Sequence, residues 1–136
     1  MGDADDIDLV ARTMYGEARG EGFEGLHAIA NVIQNRLDSG ITWWGNSWQT
    51  ICLKPWQFSC WNNSDPNLAF IKSIDKQNPV FRDCLAIATD AIQGVLEDIT
   101  NGGTSYYSAY MDSPPHWAVG KSPCATIGHH IFFKGV

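Results

Sequence analysis

The stretch MYGEARGEGFEG, residues 14–25, sets Glu17, Arg19, Glu21 and Glu24 among four glycines. A carboxylate on the end of a rigid helix is a fixed proton donor or acceptor, and glycines beside it let the backbone turn sharply. Glu17 and Glu21 are four residues apart, so a continued helical turn would bring both carboxylates onto one face. Arg19 then lies off that face, free to pair with another carboxylate or with the core. The plainer alternative gives Glu21 and Glu24 to the start of the next helix, where negative charge suits the dipole, and leaves Glu17 solvated. Two other chemistries draw on residues elsewhere. Cys60 with His116 or His130 would pair a thiol nucleophile with a base, but no nucleophile-bearing helix start accompanies the cysteine. His116, His129 and His130 show no H-x-x-x-H spacing, and the cysteines show neither zinc-ribbon nor C-x-x-C spacing. No metal and no other cofactor is therefore expected.

Two helices must position the acidic junction. Ile7, Val10, Ala11 and Met14 form an i, i+3, i+4, i+7 stripe that predicts a helix over residues 6–16, with Asp5 or Asp6 as its cap and Gly16 as its stop. A second helix is predicted over 22–38 from Leu26, Ile29, Ala30, Ile33 and Leu37, with Gly40 beyond its end. WQTICL suggests a short helix at 48–53, and another is expected near 66–73. Pro79, Phe81, Leu85, Ala88, Ile92 and Gly94 outline a helix from Pro79 to Gly94. After NGG at 101–103 the pattern changes to two β-prone runs, TSYYSAY and IGHHIFFK, expected to pair antiparallel. The class is α+β, mainly helical, with a small antiparallel sheet near the C-terminus.

At 136 residues the chain is one domain, 1–136, long enough for one proper core. A net charge of −6 argues against nucleic acid, whose binders carry a basic face. No apolar run approaches the ~18 residues that cross a bilayer. The acidic start MGDADDIDL has no apolar h-region, so synthesis in the cytoplasm without a secretory signal peptide is expected, and so is a monomer. Without such a signal the four cysteines are expected as reduced, buried thiols. Six Trp, four Tyr and six Phe are enough to line a cleft that stacks flat ligand faces, as well as a core.

ARTMYGEARGEGFEGLHAIANVIQNR resembles the opening motif of the spore cortex-lytic (SleB/CwlJ-type) cell wall hydrolase family: Y-G-E-A-R-G-E, then E-G, an apolar helix and N-R. KPWQFSCW is similar to the family's P-x-x-F-S segment, NGGTSYYSAY to its G-G-A-x-Y-Y strand, and IGHHIFFK to its I-G-x-H-x-F strand. Four motifs in the expected order cover residues 9–134. The resemblance implies a lysozyme-like lobed fold, peptidoglycan glycan strands as substrate, and cleavage of the N-acetylmuramic acid to N-acetylglucosamine bond. It also makes Glu17 the catalytic acid. A glycosidic oxygen leaves poorly unless protonated, so that acid needs an apolar setting, which Met14, Tyr15 and the aromatic segments at 56–61 and 106–117 supply. Lytic transglycosylases, which the family resembles, can use one carboxylate and leave a 1,6-anhydro end. A muramidase using water is the alternative, with Glu21 as the nearby candidate for a second acid, although a helix-terminus charge or an ion pair with an arginine such as Arg19 is the preferred role for Glu21. Gln57, Phe58, Tyr106, Tyr107, Trp117 and His130 are the candidate substrate contacts. Only one of Tyr106 and Tyr107 can face a sugar, because they alternate across a strand. Phe58 is equally a core candidate, and a His130 on an apolar strand is first a structural residue. An amidase or peptidase of the same wall and a non-catalytic sugar-binding module are the rival classes. A single module without a signal suits an endolysin released by a holin, or a fragment of a larger exported enzyme.

Overall fold

The computed structural model describes residues 3–55 and 57–135. Trp56 of the KPWQFSCW motif lies outside the described residues. The elements are α1 (Asp3–Ala18), α2 (Gly22–Asp38), α3 (Trp48–Cys52), α4 (Leu68–Ser73), α5 (Pro79–Ile92), β1 (Ser105–Ser108), β2 (Ala125–Ile127) and β3 (His130–Phe133). Single 3₁₀ turns occupy Ser59–Trp61 and His116–Ala118. The expected mainly helical α+β class is what forms.

α1, α2 and α5 pack on one another, and the predicted stripes are the faces they bury. Val10, Met14, Ile29 and Ile33 are fully enclosed, and Phe81 of α5 is nearly so. α5 begins with Pro79 in the first helical position, as predicted, and Asn78, which the sequence reading did not single out, caps it by accepting from the Phe81 N–H at 3.1 Å. It ends at Ile92, before Gly94 at φ +77°.

α1 departs from expectation at both ends. Asp5 and Asp6 lie inside its first turn, and Gly16 does not stop it. The reason for a glycine at 16 is proximity. A Cβ there would lie 2.6 Å from Cys60 Cβ, 2.8 Å from Cys60 Sγ and 2.9 Å from Ile71 Cδ1. The backbone turns later, at Gly22, where φ is +80°.

The sheet has the order β1-β3-β2, both pairings antiparallel. Tyr106 stands opposite Phe132, and Ala125 pairs with Phe132 from the other side. The two β-prone runs do pair, but IGHHIFFK is not one strand. Ile127 ends β2, Gly128 at φ +57° and His129 turn the chain, and His130 starts β3. Phe132, fully buried, fastens the sheet to the helical core.

Candidate active site

Glu17 occupies the last turn of α1, and two other elements hold its carboxylate. Oε1 accepts from the Tyr106 hydroxyl of β1 at 2.5 Å. Oε2 accepts from the backbone N–H of Cys60, in the 3₁₀ turn, at 3.1 Å. Met14 and Tyr15, just before it on the same helix, are buried. Burial and the nearby Glu17 charge push the Tyr106 phenol well above its ordinary value, so it remains a donor at any working pH. Glu17 is thus oriented through both oxygens on rigid elements rather than solvated.

Glu21 does not share that setting. α1 ends at Ala18, and the turn swings Glu21 onto the β2–β3 connection. Its Oε1 accepts from the His129 backbone N–H at 2.6 Å, and its Oε2 lies 3.1 Å from His129 Nδ1. Two glycines clear the space: a Cβ on Gly25 would lie 2.4 Å from Glu21 Cβ, and one on Gly128 would lie 3.0 Å from Glu21 Oε1. The partner of Glu21 is therefore His129 and not an arginine. Arg19 instead lays its guanidinium over the rings of Tyr15 and Phe70, at 5.4 and 5.5 Å. Burial opposes the Glu21 charge, but the ring and backbone hydrogen bonds from His129 outweigh it and lower the pKa below 4.5. A lowered carboxyl pKa adds stability above the unfolded value, and that stability disappears as pH falls through the folded one. Glu21→Gln is accordingly expected to lower Tm at pH 7, with the deficit closing in strong acid, and to cost less activity than any change at Glu17. Thermal melts of both proteins across pH 2–7 test this; a deficit that persists unchanged in acid would sink the hydrogen-bond account.

Glu17 lines two cavities at once. One, of about 920 Å³, is walled by Arg36, Asp38, Trp43, Gln57, Tyr106 and Trp117 among others. The other, of about 240 Å³, is walled by Arg19, Glu21, Ser108, Tyr110, His129 and His130. Gln57 and Trp117 are thus among the residues that line the larger cavity. Tyr106 and Tyr107 do divide between the faces of β1. Tyr106 takes Glu17, while Tyr107 stacks on Phe133 at 5.8 Å and meets Trp117 edge-on at 6.1 Å. Phe58 must be corrected: at 1% exposure it belongs to the core and not to the cleft wall. His130 is buried at 8% exposure, its ring 5.0 Å from that of Tyr106, and burial lowers its pKa.

The sequence model of the cell wall hydrolase family matches residues 20–133. The chain belongs to the cell wall hydrolase family. The match begins three residues after Glu17, so the assignment of the family does not itself rest on that residue. Over 132 residues the chain is 35% identical to the spore cortex-lytic enzyme of Bacillus subtilis (strain 168), covering 93% of this chain and 37% of that one. It is 33% identical over 129 residues to the spore cortex-lytic enzyme of Halalkalibacterium halodurans, covering 93% and 34%. The chain thus spans little more than a third of the length of these curated relatives. Among solved structures it is similar to the catalytic domain of the Bacillus cereus SleB protein, with a TM-score of 0.73 at 27% identity, over 96% of this chain and 91% of that one. It is also similar to the catalytic domain of the germination-specific lytic transglycosylase SleB from Bacillus anthracis, with a TM-score of 0.72 at 28% identity, over 96% and 94%.

Within this family member the cleft recruits residues that the sequence did not single out. Trp43 stands 57% exposed on the wall of the larger cavity, edge-on to Trp44 at 4.8 Å and with Lys54 Nζ 4.4 Å from its ring centroid. TWWGN lies outside the four motifs, yet its Trp43 stands on the cleft wall while Trp44 beside it is buried at 8% exposure. Asp38 is a second carboxylate on the same wall. Cys60, at 2% exposure, is poorly placed to act as the thiol nucleophile. Burial and the neighbouring Glu17 charge raise the Cys60 pKa far above the thiolate range, and burial pushes Cys52 up to about 12. All four cysteines are free. Among the described residues no group of His, Cys, Asp and Glu converges as a metal site, and no helix is long and apolar enough to cross a membrane.

Proposed function

We propose that this domain degrades peptidoglycan by cleaving the N-acetylmuramic acid to N-acetylglucosamine bond as a lytic transglycosylase, with Glu17 as its single acid and base. The observation that carries this reading is the placement of Glu17 between two cavities, held by Tyr106 and Cys60 while Glu21 is engaged by His129. A glycan strand can then run through both cavities with its scissile bond at the carboxyl. Glu17 donates its proton to the glycosidic oxygen as the bond from C1 breaks. The muramic acid's own 6-hydroxyl bonds to C1 and returns its proton to Glu17. The product is a 1,6-anhydro end, and no water is consumed. The exposed indole of Trp43 and that of Trp117 offer flat faces to pyranose rings in the larger cavity.

One observation favours a second reading. Asp38 shares the larger cavity with Glu17, and a carboxylate pair that leaves room for water would hydrolyse the bond instead. Mass analysis of digested peptidoglycan decides between them. Anhydro-muramic ends are expected. Reducing muramic ends that vanish in Asp38→Asn would establish the muramidase, and free stem peptides would overturn both readings in favour of an amidase.

A further inference from the structure

Arg36 lies in the last turn of α2 with 5% of its surface exposed, and it touches the residues that lead into both elements that grip Glu17. Its Nε donates to the Thr104 carbonyl at 2.7 Å, two residues ahead of Tyr106, the donor to Oε1. Its guanidinium lies 5.0 Å from the ring centroid of Phe58, two residues ahead of Cys60, the donor to Oε2. Trp44 covers it from the cleft side at 4.1 Å. Holding this charge costs stability. Nη1 is buried without a hydrogen-bond partner, and desolvation lowers the pKa to about 10, which still leaves the group charged at neutral pH. A desolvated charge with an unpartnered N–H is a cost to folding, so folding alone is a poor reason for an arginine here.

We propose that Arg36 is the positioning residue for Glu17. It ties the β1 approach and the 3₁₀ turn to the end of α2, and so sets the spacing between the two donors that aim the carboxylate. This rests on the reading of Glu17 as the acid and base. It assigns Arg36 no contact with the reacting atoms.

Arg36→Met keeps an unbranched stem between Trp44 and Phe58 but removes the charge and the bond to Thr104. The expected result is a kcat about 10²-fold lower, the size of loss that follows a misplacement near 1 Å, with KM within about twofold because Arg36, although it backs the larger cavity, exposes only 5% of its surface. Without substrate, hydrogen exchange at the Cys60 amide should quicken about tenfold as its bond to Glu17 loosens. Arg36→Lys keeps the charge without the planar fork and should fall between. If the methionine variant does not fold, the lysine variant decides by the same two readouts. A kcat and a Cys60 amide both unchanged would overturn the proposal. A raised KM at unchanged kcat would overturn it too, by making Arg36 a substrate contact. If Glu17→Gln proves active, the catalytic reading falls, while the Cys60 amide still decides whether Arg36 positions that carboxyl.

Discussion

Glu17→Gln is expected to lower the rate on purified peptidoglycan by about 10³-fold, within the range that general acid–base catalysis contributes. The substitution is less silent than its shape suggests. Both carboxylate oxygens accept, one from the Tyr106 hydroxyl and one from the Cys60 N–H. An amide offers one acceptor and turns an NH₂ on the other donor, so a stability loss of about 1 kcal/mol accompanies the change. Thermal melting must therefore be measured beside the rate. Glu17→Asp separates the two effects. It keeps a proton and two acceptors but withdraws the acid by one methylene, and a loss of about 10²-fold is expected from misplacement alone. A glutamine variant that is folded and keeps more than about a tenth of the wild-type rate would remove Glu17 from the acid role, since even weak acid catalysis contributes ~10²-fold.

The helices that place Glu17 were legible because their signals are local. An apolar stripe, Pro79 at the start of α5 and glycine past its end each act within one or two turns. The β-prone runs were legible for the same reason, through alternation. What stayed hidden depends on contacts distant in sequence. Tyr106 meets Glu17 across 89 residues, and His129 meets Glu21 across 108. No periodicity records such meetings; residue type and spacing left Glu17 open between a fixed acid and a solvated side chain, and only the family motifs favoured the acid. Gly16 shows how a local rule misleads. Glycine near a helix end suggests a stop, yet here it permits close approach between α1 and the Cys60 turn. Phe58 and Trp43 exchange places for a similar reason. The motif residue is core, and the residue outside every motif stands on the cleft wall.

Gly16 also gives the second large effect. Its φ is not in the left-handed region, so alanine fits the backbone and would favour the helix by up to about 1 kcal/mol. Against this stands a new Cβ 2.6 Å from Cys60 Cβ, and overpacking costs about 1–3 kcal/mol. Something must move. α1 is clamped between α2 and α5, whereas Cys60 sits on a single 3₁₀ turn, so the turn gives way. Its N–H then leaves Glu17 Oε2, and Gly16→Ala should lose about 10²-fold in kcat from a displacement near 1 Å. Gly20→Ala is the control, because nothing lies within 4 Å of a Cβ there. Removing the opposing Cβ should reverse the defect. In the double variant Gly16→Ala with Cys60→Gly, the two changes should fail to add, and kcat should return most of the way toward the parent. Full activity in Gly16→Ala alone would mean that the Cys60 bond has no part in aiming the acid. A defect that Cys60→Gly leaves untouched would place the damage elsewhere along α1.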